Sequence, residues 1–90
     1  MNEVEYYQKL THMTLLELKQ ETVRIETKLC ENHKQIMKLS ELIKGNAYDI
    51  TEEDLTNVET LTNRDNHLTK QLGLLGKEVN KRYKQLFVSH

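Results

Sequence analysis

The stretch IKGNAYDITEED, residues 43–54, decides the fold. Gly45 after Ile43 and Lys44 suits the left-handed residue that closes a helix, and Asn46 extends the turn. Thr51 then reads as an N-cap whose hydroxyl can accept from the amide of Asp54, while Glu52, Glu53 and Asp54 complement the positive end of a new helix. Ile50 before the cap and Leu55 inside it match a hydrophobic staple. A helix stop followed this closely by a helix start makes a hairpin.

Both arms carry the pattern that a hairpin needs. Upstream, Leu15, Leu18, Thr22, Ile25, Leu29, Asn32, Ile36, Leu39 and Ile43 recur at alternating gaps of three and four, a heptad seam with Leu15 at position a. Downstream, Asp54, Val58, Leu61, Asp65, Leu68, Leu72, Leu75, Val79, Arg82 and Leu86 do the same. Folding at the Gly45 loop pairs each a with a d: Leu39 with Val58, Ile36 with Leu61, Leu29 with Leu68, Ile25 with Leu72, Leu18 with Val79. The same register sets Asn32 opposite Asp65. A slip of one heptad would bury each against an apolar residue, at about 1–3 kcal/mol per unpaired group, so this layer reads as a register device.

A second start signal lies at MTLLE, residues 13–17, where Thr14 and Glu17 form a capping box and Met13 can staple onto Leu18. The expected fold is all-α: a short helix near 3–11, long helices near 15–44 and 52–87, and a loop near 45–51, within a single helical domain spanning 1–90. It is an antiparallel coiled-coil hairpin expected to assemble into a dimeric bundle.

The rows flanking the seam differ. Leu16, Val23, Cys30 and Met37 repeat every seven residues at b, beside the e side of the hairpin. The other arm adds Leu55, Thr62, Thr69, Gly76 and Tyr83 at e, with Gly73 and Phe87 at b. The g side reads Glu21, Lys28 and Gln35 against Asn57, Arg64, Gln71 and Glu78, and apart from Leu42 it is expected to be solvated. A long apolar strip is unusual on a soluble monomer. Its expected cover is the N-terminal helix, through Val4, Tyr7 and Leu10 over Leu16, Gly76 and Tyr83, together with a second copy of the chain. Leu16, Val23, Cys30, Met37, Leu55, Gly73, Gly76, Tyr83 and Phe87 are therefore the candidate association surface. The two glycines cost a helix about 1 kcal/mol each relative to Ala, which is acceptable where another backbone must approach.

Composition narrows the function classes. Ninety residues bury only about 60–65% of the surface of the unfolded chain, so oligomerisation would help. Thirteen basic against fourteen acidic residues leave a net charge of −1, which implies no unspecific grip on nucleic acid. The lone Cys30 cannot form an internal disulfide, Met1 to Leu10 carries Glu3 and Glu5 rather than a basic and apolar leader, and no apolar run reaches the roughly 18–20 residues of a membrane span. These features point to a cytoplasmic protein with no membrane partner. Abundant Asn, Lys, Ile and Thr beside the single Ala47 suggest an AT-rich coding genome, as in low-GC bacteria and their phages.

Catalytic and metal-binding patterns do not emerge. GLLG, residues 73–76, lacks the strand and the Lys-Ser/Thr of a phosphate loop, and His12, His33, His67 and His90 have neither H-x-x-x-H nor E-x-x-H spacing. No cofactor, metal or catalytic residue is expected. The C-terminal cations Lys77, Lys81, Arg82 and Lys84 read first as complements to a helix end and to Glu3, Glu5 and Glu17, and second as a basic patch for nucleic acid. The expected function is a non-enzymatic interaction module, an adaptor or antagonist of a larger intracellular protein; the alternative is a small nucleic-acid-associated regulator.

Overall fold

A computed structural model of the chain describes residues 2–45 and 50–88. They form three helices and no strand: α1 (Glu3–Thr11), α2 (Leu15–Gly45) and α3 (Glu52–Val88). The long helices pack against each other along a body of 63 × 21 × 16 Å, and α1 packs chiefly on α3.

Each helix starts on a side chain that satisfies its free amides. Asn2 Oδ1 accepts from Glu5 N at 2.8 Å. Thr14 and Glu17 form the reciprocal box, Glu17 N donating to Thr14 Oγ1 at 3.2 Å and Thr14 N to the Glu17 carboxylate at 3.0 Å. The Thr14 amide holds the Glu17 carboxyl below its usual range. Thr51 and Asp54 repeat the arrangement at 3.1 and 3.3 Å, with Asp54 in the place usually taken by Glu or Gln. Met13 packs onto the cluster that contains Leu18, whereas Leu55, the expected partner of Ile50 in a staple, is exposed.

The stop at the hairpin differs from expectation. Gly45 is the last residue of α2, and no described glycine has a positive φ, so the left-handed closure does not fall there. Helical geometry costs Gly45 no steric strain. Asn46, expected to extend the turn, lies outside the described residues.

The core comprises Tyr6, Leu10, Leu18, Ile25, Leu68 and Leu75, flanked by Tyr7, Met13, Leu29, Leu72, Leu74 and Val79. It sits in the half of the hairpin that α1 covers. Burial is uneven across the seam: the d residues Leu18, Ile25, Asn32, Leu61, Leu68 and Leu75 are buried, with Leu39, Asp54 and Arg82 half-buried nearer its ends, while the a residues Thr22, Leu29, Ile36, Val58, Leu72 and Val79 are only half-buried. The d rows adjoin the side on which α1 lies, and the a rows adjoin the open side.

The polar layer is divided between separate partners. Asn32 is buried and donates Nδ2 to the Leu61 carbonyl at 2.8 Å, rather than to Asp65. Asp65 Oδ1 instead lies at ion-pair distance from His33 Nε2, without the alignment of a hydrogen bond. The Asn32 carbonyl oxygen has no partner among the described residues.

Candidate interaction surfaces

The g side is built around two matching triplets. On α2, the Tyr6 hydroxyl donates to Glu21 Oε1 at 3.1 Å, and Arg24, one helical turn on, closes a fork on the same carboxylate, with Nε on Oε2 at 3.0 Å and Nη2 on Oε1. On α3, the Tyr7 hydroxyl donates to Glu78 Oε2 at 3.1 Å while Arg82 Nε donates to Oε1 at 2.8 Å. Adjacent tyrosines of α1 thus reach carboxylates on opposite arms of the hairpin. Arg82 continues to the C-terminus of α1, donating Nη2 to the Thr11 carbonyl at 2.9 Å and to the Leu10 carbonyl at 3.4 Å. Lys77 stands 5.7 Å over the Tyr7 ring, and Lys70 lies 3.7 Å from Glu3.

These bonds correct the expected solvation of the g side at Glu21 and Glu78, while Lys28, Gln35, Asn57 and Arg64 are exposed as expected, and they correct the expected seat of α1. Glu21 and Glu78 retain only 8% and 1% exposure, because α1 lies over the g rows and not over Leu16, Gly76 and Tyr83. The reason is chemical: a tyrosine pair buries apolar ring area and delivers its hydroxyls to carboxylates, which the e side does not offer. The Arg24 bonds hold the Glu21 carboxyl below its usual range against the opposing effect of burial. Burial would raise Glu78, and the bonds from Arg82 and Tyr7 outweigh it to give a lowered value. Both tyrosine hydroxyls are pushed up, by desolvation first and then by the neighbouring carboxylates.

With α1 on the g side, the e side carries no cover among the described residues. Leu16 is 65% exposed, Met37 64% and Phe87 80%, and Val23, Leu55 and Tyr83 are about half exposed or more. Cys30 is exposed as well. Gly73 and Gly76 lie on the same exposed face, and a Cβ added at either would meet nothing within 4 Å. No close approach among the described residues therefore accounts for them.

The expected basic patch is divided by the same contacts. Arg82 is occupied by Glu78 and the end of α1 and Lys77 stands over the Tyr7 ring, while Lys77, Lys81 and Lys84 are all exposed. Glu3 finds Lys70 rather than one of these cations. His33 lies at ion-pair distance from Asp65, and His67 lines a cleft of the g side. Among the described residues no group of three His, Cys, Asp or Glu side chains is placed to hold a metal ion, and no helix is long and apolar enough to cross a membrane.

Sequence reading missed both triplets. Their signal was present as Glu21 and Glu78 in facing g rows, each with an arginine a turn later, beside a helix carrying two consecutive tyrosines. Comparison with known proteins adds no analogy: no family model matches the chain, and neither the curated proteins nor the solved structures contain a significant match.

Proposed function

We propose that the chain is a non-enzymatic protein–protein interaction module, a small intracellular adaptor or antagonist that binds a larger protein through the e side of the hairpin. The observation that carries this reading is the strip of Leu16, Val23, Met37, Tyr83 and Phe87, exposed while α1 occupies the other side. Large apolar side chains exposed in one row mark association surfaces, and tyrosine and phenylalanine at one end supply the aromatic anchors that such surfaces favour. Self-association belongs to the same proposal: two hairpins meeting through their e sides form a coiled-coil bundle related by a two-fold axis, with Gly73 and Gly76 admitting the second backbone. Affinity capture from the source cell, comparing wild type with Tyr83→Ala plus Phe87→Ala, tests the reading. Both residues are exposed, so the variant keeps its fold and loses the partner.

A further inference from the structure

We propose that the part of the g-side groove beyond α1 is a docking site for an acidic amphipathic helix of another protein. This goes beyond the e-side reading and does not depend on it. The groove begins at Arg24 and Gln71, level with the first turn of α1, where an open cleft of about 500 Å³ is floored by Asn32 and Leu68 and edged by Lys28 and Arg64. A second cleft, of about 470 Å³, continues it towards the hairpin end over Leu39, Leu42 and Leu61. Gln35 and Arg64 line both, so the two clefts form one channel. From Arg24 to Leu39 it runs roughly 22 Å along α2 at the helical rise, the length of about four turns.

Three observations select the occupant. First, the upstream part of the same groove already holds a helix: α1 buries Tyr6 and Leu10, one turn apart, and carries Glu3 and Glu5 in its first turn, with Glu3 near Lys70. Second, the rim is cationic. Lys28, Lys38 and Arg64 are exposed and have no ion-pair partner among the described residues, and Glu31 is the carboxylate among the residues lining the two clefts. Third, the floor turns apolar towards the hairpin end, where Leu39 and Leu61 line the second cleft and Leu42 stands 60% exposed. An apolar floor between cationic rims matches a helix with a leucine stripe flanked by Asp and Glu. A phosphate backbone would leave Leu39, Leu42 and Leu61 without partners.

Selection from displayed helices of about 16 residues, with a fixed leucine stripe and randomised flanking positions, tests this assignment. Selected helices are expected to be rich in Asp and Glu at the flanks. Their affinity should fall by roughly tenfold or more for Lys28→Glu with Arg64→Glu and stay unchanged for Tyr83→Ala with Phe87→Ala, circular dichroism confirming that each variant is folded. Selected helices without acidic bias, helices insensitive to the charge reversal, or no selected helix at all would overturn it. So would a short DNA duplex that binds, loses binding in the charge-reversed variant, and meets no competition from any helix.

Discussion

Arg82 binds Thr11 across the interface between the first and last helices, donating Nη2 to its carbonyl at 2.9 Å while Nε holds Glu78 at 2.8 Å. One guanidinium therefore satisfies an end carbonyl of α1 and neutralises a carboxylate that is 1% exposed. Arg82→Leu strands Glu78 as a buried charge, with an expected loss of about 3 kcal/mol in urea unfolding and faster amide exchange throughout α1. The triple change Tyr7→Phe, Glu78→Leu, Arg82→Leu removes the whole polar unit and should recover most of that loss. An Arg82→Leu protein as stable as wild type would show that the contact does not hold α1.

Acid and alkali should each loosen α1, for opposite reasons. The Glu21 and Glu78 carboxyls are held below their usual range, so their contribution is present above about pH 4.3 and is lost as pH falls through the lower folded values. The Tyr6 and Tyr7 hydroxyls are pushed up, so theirs is present below about pH 10 and is lost as pH rises towards the raised folded values. Urea unfolding across a pH series is expected to show both flanks, with the alkaline flank reduced in Tyr6→Phe plus Tyr7→Phe. An alkaline flank of full size in that variant would assign it to other groups.

The polar layer should matter more for uniqueness than for stability. Asn32 spends its amide on the Leu61 carbonyl and leaves its own carbonyl oxygen unpartnered in the interior. Asn32→Leu with Asp65→Leu is expected to be at least as stable as wild type in thermal unfolding, while its NMR spectrum broadens or doubles as neighbouring registers become accessible. A sharp, single set of resonances in the double variant would remove the register role.

The hairpin was legible because its determinants are local. Capping pairs such as Thr14 with Glu17 and Thr51 with Asp54 act over three residues, and the seam declares itself by spacing alone. The seat of α1 was not legible in the same way. Val4, Tyr7 and Leu10 suggested an apolar helix face seeking an apolar strip, and the deciding groups were the tyrosine hydroxyls, two arginines and the Glu21 and Glu78 carboxylates expected to be solvated. A charged residue in a flanking row is ordinarily exposed, and only a long-range partner such as Tyr6 or Tyr7 turns it into an interior one. The conformation of Gly45 escaped for a smaller reason: a glycine permits a left-handed turn without requiring it.

Gly76 separates the stability of the chain from its assembly. It is helical, exposed, and open to an added side chain, so Gly76→Ala should stabilise the isolated chain by up to about 1 kcal/mol. Gly76→Leu should likewise keep the hairpin helical yet weaken self-association in size-exclusion chromatography with light scattering, because the larger side chain blocks the second backbone. A wild-type monomer at high micromolar concentration, or a Gly76→Leu assembly identical to wild type, would show that no close approach occurs there.

The central claim is that the face left open by α1 is where this protein meets its partner. Affinity capture from the source cell, quantified by mass spectrometry for wild type and for Tyr83→Ala with Phe87→Ala, addresses it directly. The account predicts a protein recovered by wild type and lost by the variant, while circular dichroism of the two remains the same. Recovery of the same proteins in the same amounts by both would contradict it.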